Sequence, residues 1–228
     1  MRRKNLKDFS IAIDGPASAG KSTIAKMVAN ELNYIYLDTG AMYRSLTYMA
    51  LKENCSLENE ADLVALLNRS EISFSTGNEQ QLVFVNDEDV TEAIRQTDVT
   101  KQVSLVSSHA LVREEMVARQ QEIAKTDHVV MDGRDIGTVV LPDAPLKIFL
   151  VATAEERALR RYNEETSKGM DVSLKELTDD LIARDHYDTT RSVSPLRKAK
   201  DAIEIDSTTL SIEEVVEKVL KLVDEKRK

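Results

Sequence analysis

An eight-residue segment near the start of the chain has the residue types and spacing needed to bind phosphate. It consists of Gly15, Pro16, Ala17, Ser18, Ala19, Gly20, Lys21 and Ser22, and Thr23 follows it. This is the pattern G-x-x-x-x-G-K-[ST], in which backbone N–H groups surround a phosphate, the lysine reaches the β- and γ-phosphates and the hydroxyl ligates Mg²⁺. We therefore predict that residues 15–23 bind a nucleoside triphosphate, with Lys21 on its phosphates and Ser22 on the metal ion.

The sequence on both sides of this phosphate-binding loop (P-loop) has the periodicity that the function requires. The apolar run at residues 9–13 predicts a buried strand before the loop. After it, Ile24, Val28 and Leu32 recur at helical spacing, which predicts a helix that begins at Lys21. A phosphate loop needs a helix N-terminus, because the first N–H groups of a helix point at the anion. The alternative is a glycine-rich turn beside a solvated lysine.

The elements that must position the loop are predicted from the remaining apolar runs. Short runs at residues 34–37, 128–131, 146–151 and 202–205 each precede a polar turn and then helical sequence. This alternation predicts an α/β fold with a five-stranded parallel sheet flanked by helices. Residues 71–75 and 82–86, around a turn at 76–78, instead predict an antiparallel hairpin. We therefore assign the core to residues 1–62 and 106–228 and an inserted α+β subdomain to 63–105.

Composition and charge narrow the classes of partner. Of the 228 residues, 42% are hydrophobic and 31% charged, which excludes a disordered or fibrous chain. The net charge of −9 disfavours binding to nucleic acid or anionic membranes. All of this excess of negative charge lies in residues 53–100, which contain eleven acidic and two basic residues. Cys55 is the single cysteine, and no apolar run is long enough for a signal peptide or a membrane span. We expect a cytoplasmic protein.

Arginines and aspartates after the predicted strands indicate a second phosphate group. They fall in residues 38–44, 132–137 and 184–191. The sequence contains no Asn-Lys-x-Asp segment, which a GTPase normally uses to read guanine. Because the carboxyl ends of parallel strands share one edge, Arg44 and Arg134 are predicted as bidentate partners of that phosphate. The alternative for each is a solvated or ion-paired surface arginine. Asp14 and Asp132 both end apolar strands, as a carboxylate beside Mg²⁺ would, and the choice between them stays open.

Over residues 10–222 the chain resembles the bacterial cytidylate kinases, a family of nucleoside monophosphate kinases. The segments that carry the resemblance are IDGPASAGKST, LDTGAMYR, DGRDIGTVV followed by LPDAPLKIFL, and RDHYDTTR followed by SPL. The resemblance implies that the parallel sheet and its helices form a P-loop kinase core. It also implies transfer of a phosphoryl group from ATP to CMP or dCMP. In addition, it implies that residues 63–105 form a monophosphate-binding subdomain. The alternative is that these residues serve only in packing or as an interaction surface.

The resemblance further assigns the residues of the acceptor site. The acceptor phosphate would be surrounded by Thr39, Tyr43, Arg44, Arg134 and Arg191. The sugar hydroxyls would be held by Arg184 and Asp188, and the cytosine edge would be read by Ser104, Arg113 and Asp135. These types suit cytosine, because a carboxylate accepts from its amino group and an arginine donates to its ring nitrogen and carbonyl.

Two further segments allow two interpretations each. Residues 155–171 predict a helix rich in arginine and glutamate, which is either a solvated helix with pairs such as Glu156 to Arg160 or a lid that bends at Gly169. As a lid it would supply catalytic arginines, namely Arg157 and Arg161, with Arg160 as a further candidate. The turn at 206–209 is either a wall beside adenine or part of a helix start capped by Thr209 or Ser211.

The expected activity is in-line transfer from Mg²⁺·ATP to the phosphate oxygen of CMP or dCMP. The acceptor is already anionic, so alignment and charge stabilisation by Lys21, Arg134, Arg191 and the lid arginines would suffice. ATP and CMP or dCMP would be the partners of a monomer. One alternative is a P-loop kinase for UMP or a small alcohol, and another is a nucleotide-binding switch that signals through its acidic insert.

Overall fold

The structure, a computed structural model, describes residues 9–76, 81–125 and 128–227. The chain divides into two compact units, one formed by the residues up to Leu37 together with those from Gln121 onward, the other by Asp38–Gln120. The basic residues 1–8 and the predicted turn at Gly77 and Asn78 lie outside the described residues.

The regular elements alternate along most of the chain. The strands are β1 (Ile11–Asp14), β2 (Ile35–Asp38), β3 (Ile72–Thr76), β4 (Gln81–Val85), β5 (Glu88–Asp89), β6 (Val129–Gly133), β7 (Leu146–Val151) and β8 (Ile203–Asp206). The helices are α1 (Lys21–Leu32), α2 (Thr39–Lys52), α3 (Glu60–Asn68), α4 (Thr97–Val106), α5 (Ala110–Ala124), α6 (Ala154–Ser167), α7 (Leu174–Thr190) and α8 (Ile212–Arg227). A 3₁₀ turn spans Ala93–Arg95, and a π-helical turn spans Ile136–Val140. Among the described helices, none is long and apolar enough to cross a membrane.

The first unit is built on the predicted five-stranded parallel sheet, whose order is β2-β6-β1-β7-β8. β1 lies in the middle, with Asp14 level with Gly133 of β6 on one side and Phe149 of β7 on the other. All four residues of β1 are buried, as expected where both faces of a parallel sheet are covered. The fold prediction is confirmed, and each strand starts and ends within two residues of its apolar run.

Helices α1 and α8 pack on the sheet because their apolar stripes face it. Ile24 and Val28 of α1 and Val219 and Val223 of α8 join a buried cluster with strand residues such as Ile13. A separate, smaller cluster lies between α6 and α7 and includes Ala17 of the P-loop. The loop is thus supported by the same side chains that hold α6 and α7 together.

Aromatic and cationic side chains join the beginning of the first unit to its end. Tyr34 stacks on His128 with ring centroids 4.7 Å apart, and His128 Nδ1 accepts a hydrogen bond from the N–H of Phe9 at 3.2 Å. The Arg227 guanidinium lies 5.4 Å from the Phe9 ring and 5.5 Å from the Tyr34 ring. These contacts anchor the last turn of α8 beside the amino ends of the strands.

The second unit combines four helices with a three-stranded antiparallel sheet, β3-β4-β5. The predicted hairpin is confirmed, since Ile72 pairs with Val85 and Ser75 with Leu82. β5 was not predicted, because it has two residues, both acidic, and therefore no apolar signal.

Arg119 of α5 closes the C-terminal end of α3 and gives a test of stability in this unit. It donates to the carbonyl oxygens of Leu67 and Ser70, both at 2.9 Å. Because its side chain is only 25% exposed, we expect Arg119→Met to lower the free energy of unfolding by about 1–2 kcal/mol in urea denaturation. The control is Arg69→Met, whose ion pair with Glu53 is 59% exposed on the arginine side and should contribute about 0.5 kcal/mol or less. Equal effects of the two substitutions would contradict this account.

Candidate active site

The P-loop follows β1 directly, and two glycines shape it. A Cβ on Gly15 would lie 2.0 Å from the carbonyl oxygen of Leu150, so only glycine allows the loop to pass β7 this closely. Gly20 adopts a left-handed conformation with φ of 88° and precedes α1, whose N-terminus has no side-chain cap. Within the described part of the chain the first N–H groups of α1 are thus left for a ligand, as a phosphate site requires.

Lys21 is held inside this loop. Its side chain is buried, and Nζ donates to the carbonyl oxygen of Pro16 at 2.7 Å. Burial, followed by the nearby positive charge of Arg134, lowers its pKa to about 7, against the opposing effect of Asp132 and Asp14. A bound anion would favour the charged ammonium, so the site is electrostatically suited to phosphate.

Ser22 and Asp132 place two oxygen donors side by side at the carboxyl end of the sheet. The Ser22 hydroxyl donates to Asp132 Oδ2 at 2.9 Å, and the Tyr36 hydroxyl donates to Asp132 Oδ1 at 2.9 Å. A hydroxyl beside a carboxylate is a donor set that suits Mg²⁺, which commonly takes one or two carboxylates and completes its shell with phosphate and water. Of the two strand-end aspartates considered from the sequence, the structure joins Asp132 to Ser22.

Asp14 has a different set of partners. Its carboxylate accepts from the N–H groups of Ile136 and Gly137, each at 2.7 Å. Burial raises the pKa of Asp14 to about 6, although both hydrogen bonds oppose the shift. Asp14 therefore faces the segment after β6.

Arg134, Asp188 and Arg191 form an ionic cluster in the first unit. Arg134 Nε donates to Asp188 Oδ2 at 2.9 Å, and Arg191 Nη1 lies 3.7 Å from Asp188 Oδ1. Arg191 also donates from Nε and Nη2 to the carbonyl oxygen of Ser194, at 2.9 and 2.7 Å. Burial by itself would raise the pKa of Asp188, but Arg134, Arg184 and Arg191 hold it below its usual value. The cluster thus presents guanidinium groups fixed around one buried carboxylate.

The lowered pKa of Asp188 predicts a pH-dependent stability. We expect Asp188→Asn to lower the free energy of unfolding at pH 7 by about 3 kcal/mol, because the guanidinium groups of Arg134 and Arg191 lose their buried counter-charge. Asp188 stabilises the fold fully above its unfolded pKa of about 3.9, and this is lost as the pH falls through the lower folded value. The difference from wild type in urea denaturation should therefore shrink below about pH 4. Asp180→Asn, on an exposed part of α7, is the control, and a difference for Asp188→Asn that persists unchanged in acid would contradict the assignment.

The three α6 arginines have separate partners. Arg157 is buried and donates to the Ala17 carbonyl of the P-loop at 3.0 Å, and its Nη2 lies 2.5 Å from Asp185 Oδ2. Arg160 pairs with Glu156 at 3.0 Å, as the helix-pair interpretation predicted, and Arg161 pairs with Glu165 at 2.7 Å. The predicted helix over 155–171 is too long, since α6 ends at Ser167. Gly169 follows in a left-handed conformation, with φ of 79°, that terminates the helix.

The turn after β8 lies against the P-loop. Ser207 Oγ donates to the Val151 carbonyl at 3.1 Å and lies 3.5 Å from the Ala19 carbonyl oxygen. Arg160 Nη2 donates to the Ser207 carbonyl at 2.6 Å. Ser211 caps α8, because its hydroxyl accepts from the Glu214 N–H at 3.2 Å while Glu214 accepts from the Ser211 N–H at 2.8 Å. The helix cap was one of the two interpretations of this turn, and Ser211 provides it.

In the second unit, Asp38 caps α2 and orients Arg44. Asp38 accepts from the Ala41 N–H at 2.9 Å and from Arg44 Nη2 at 2.7 Å. Burial would raise the pKa of Asp38, but Arg44, the Ala41 N–H and Arg95 together lower it. Thr39, the first residue of α2, is also buried.

Tyr43 and Arg113 form a second pair in this unit. The Arg113 guanidinium lies 5.2 Å from the centre of the Tyr43 ring and donates to the Ser107 carbonyl at 3.1 Å. Both side chains are buried, and Ser104 is half-buried on α4. A guanidinium stacked on an aromatic ring keeps a fixed plane, as reading of a base edge requires.

Comparison with known proteins identifies the family. The sequence model of the family described as cytidylate kinase matches residues 11–225. A cytidylate kinase of Bacillus cereus is 58% identical over 217 residues, which cover 95% of this chain and 96% of that protein. One of Bacillus velezensis is 58% identical over 220 residues, covering 96% and 98%. This chain belongs to the cytidylate kinase family.

A solved structure adds information on the fold of this cytidylate kinase family member. The crystal structure of an uncharacterized protein from Eubacterium ventriosum matches with a TM-score of 0.52 and 14% identity, over 96% of this chain and 99% of that one. At this identity the likeness concerns the fold alone.

The structure shows the partners of three carboxylates in this family member, and one of the three, Asp185, was not singled out from the sequence. Asp132 lies beside Ser22, Asp14 holds the segment after β6, and Asp185 pairs with Arg157. Asp14 and Asp132 could be found in the sequence as polar residues that end apolar strands. Asp185 has no comparable signal, because it is one of several acidic residues on α7.

Proposed function

We propose that this protein is an ATP-dependent kinase that transfers the γ-phosphoryl group of ATP to CMP or dCMP and forms ADP with CDP or dCDP. The observation that carries the proposal is the 58% identity to a cytidylate kinase over 95% of the chain. The buried lysine of the P-loop and the arginine cluster around Asp188 agree with this chemistry, because both can neutralise phosphate oxygens.

On the donor side, residues 15–23 would bind the phosphates of ATP. The N–H groups at the start of α1 would surround the β-phosphate, and Lys21 would contact the transferred group. Ser22 and Asp132 would hold Mg²⁺, which supplies charge neutralisation on the phosphate oxygens when it is bound.

On the acceptor side, we retain the assignments that the resemblance implied. The phosphate of CMP would contact Thr39, Tyr43, Arg44, Arg134 and Arg191. The sugar would contact Arg184 and Asp188, and the base would contact Ser104, Arg113 and Asp135. Residues 63–105 are proposed as the monophosphate-binding subdomain and residues 155–171 as the lid, with Arg157 and Arg161 as its catalytic arginines.

The chemistry needs alignment more than proton transfer. The oxygen of the acceptor phosphate is already negatively charged and attacks phosphorus directly, so a strong general base is not required. Arginines on the acceptor reduce the repulsion between two anionic groups, and fixed guanidinium groups contribute more than mobile ones because their geometry is set before substrate binds. The ion pairs of Arg134 and Arg191 with Asp188 provide that preorganisation.

A coupled assay of ADP formation with CMP, dCMP, UMP and AMP as acceptors tests the proposal. The expected result is the highest kcat/KM with CMP or dCMP. A higher kcat/KM with UMP would show that UMP is the acceptor. Slow hydrolysis of ATP that no acceptor accelerates would indicate a nucleotide-binding switch protein. The ratio for CMP and dCMP gives the sugar preference.

We also propose a monomer in the cytoplasm. A monomer is sufficient for the proposal, since all the residues assigned to the two substrates come from one chain. Light scattering coupled to size-exclusion chromatography is expected to give the mass of one chain, 25.6 kDa.

A further inference from the structure

The segment after β6 ends in an uncommon backbone conformation. Arg134 and Asp135, both assigned to the acceptor nucleotide, are followed at once by the π-helical turn Ile136–Val140. Such turns are rare in proteins and are frequently found at functional sites. The first N–H groups of any helical turn have no partner inside it, so another part of the chain must bind them.

Asp14 supplies those partners. Its Oδ1 accepts from the Ile136 N–H and its Oδ2 from the Gly137 N–H, both at 2.7 Å, and the side chain is 3% exposed. Hydrogen bonds from N–H groups to an ionised carboxylate are shorter and stronger than neutral ones. One side chain therefore fixes the two residues that follow Arg134 and Asp135.

The side chain of Lys147 packs against the same turn at Gly137. A Cβ on Gly137 would lie 3.1 Å from Lys147 Cδ and 3.3 Å from Asp14 Oδ2, both tighter than ordinary contacts. The Lys147 ammonium is bound to the Pro142 carbonyl and lies 2.8 Å from Asp201 Oδ2, so its stem cannot easily move away. Gly137 is thus enclosed between the carboxylate and the lysine stem.

We propose that Asp14 is a positioning residue for the acceptor nucleotide: by holding the Ile136–Val140 turn against the stem of Lys147, it sets the places of Arg134 and Asp135. The inference rests on the proposed function, because that function assigns Arg134 and Asp135 to CMP. Asp14 itself contacts neither substrate in this account. A misplacement of about 1 Å in a substrate-binding group can lower the rate by about a hundredfold, so loss of these two bonds has a measurable effect.

The first test is Asp14→Asn, assayed at about pH 8, where a carboxyl group with a pKa of about 6 is ionised. Asparagine offers one acceptor oxygen, so one of the two N–H groups loses its bond. We expect the KM for CMP to rise by about tenfold or more, while the KM for ATP stays within about twofold. Amide hydrogen exchange of the ligand-free protein should be faster in a peptide covering residues 134–140. Asp143→Asn, an exposed carboxyl group in the next loop, is the matched control and should change none of these quantities.

The second test approaches the turn from its other side. Gly137→Ala should raise the KM for CMP and accelerate exchange in the same peptide, because the added methyl group displaces the turn from Asp14 and Lys147. In the double variant the two effects should be less than additive, since both disturb one contact. If Asp14→Asn does not fold, the same measurements on Gly137→Ala test the inference.

Two kinetic results would overturn the inference. One is an unchanged KM for CMP in folded Asp14→Asn and Gly137→Ala, and the other is an equal rise in the KM for ATP and CMP, which would place the effect in the P-loop. Failure of the proposed function is a separate outcome, since it would appear as an inactive wild-type enzyme. Hydrogen exchange measures the stability of the turn without substrate. Unchanged exchange in both variants would therefore also reject the inference, even if the enzyme were inactive.

Discussion

Replacing Lys21 with alanine is expected to lower kcat for CMP phosphorylation by about a thousandfold. The side chain is buried, and its Nζ lies 2.7 Å from the Pro16 carbonyl inside the loop that we assign to the ATP phosphates. A preorganised cation acts most strongly where water is excluded, since the local dielectric constant is low. Steady-state kinetics with saturating ATP and CMP measure the effect.

A second substitution separates this loss from unfolding. Lys21→Met keeps the aliphatic stem and removes only the ammonium group, and we expect the same loss of kcat. Burial lowers the pKa of Lys21 to about 7, which means that the folded protein disfavours its charge. Lys21→Met should therefore unfold at the same or a higher urea concentration than wild type. The control is Lys218→Met, an exposed lysine of α8, and near-normal turnover in either Lys21 variant would reject the assignment of the P-loop.

The sheet could be predicted from the sequence because burial on both faces gives short apolar runs. Leu146–Val151 was predicted with both ends correct. β1 and β6 begin and end later than predicted, and their last residues are Asp14 and Gly133, since the backbone ladder continues between neighbouring strands whatever the side chains are. β5 has no signal of this kind, because its two residues are both acidic. The π-helical turn has none either, because it depends on Asp14, which lies 122 positions before Ile136.

The P-loop could be predicted because each of its chemical requirements is met by a residue type at a fixed spacing. The resemblance then supplied Arg184, Asp188 and Arg191. Arg184 and Asp188 lie on one face of α7, four residues apart, and Arg191 directly follows the helix. Side-chain partners were harder to predict. Arg157 was expected to act on the transferred phosphate, and in the structure its guanidinium contacts Ala17, 140 positions away. A partner this distant in sequence is set by the packing of α6 against the P-loop, which no local pattern encodes.

Arg191 carries the second large effect: Arg191→Ala is expected to lower kcat by about a thousandfold or more. Its guanidinium is fixed by two bonds to the Ser194 carbonyl and by the charge of Asp188, so its plane is set before substrate binds. Arg191→Lys should restore little activity, because an ammonium group cannot reproduce a planar fork of donors. Arg197→Ala, an exposed arginine of the same segment, is the control.

The remaining question for Arg191 is whether its loss acts on the reaction or on the loop that follows α7. Its bonds to Ser194 also shape residues 192–196, where Ser194 has a left-handed conformation with φ of 46°. Hydrogen exchange over these residues distinguishes the two, because a purely catalytic role leaves exchange unchanged while kcat falls. Faster exchange together with a KM for CMP that rises as much as kcat falls would instead assign Arg191 to the loop. A variant with normal turnover would remove Arg191 from the catalytic set, and the charge on the transferred group would then have to be stabilised by Lys21 and Arg134.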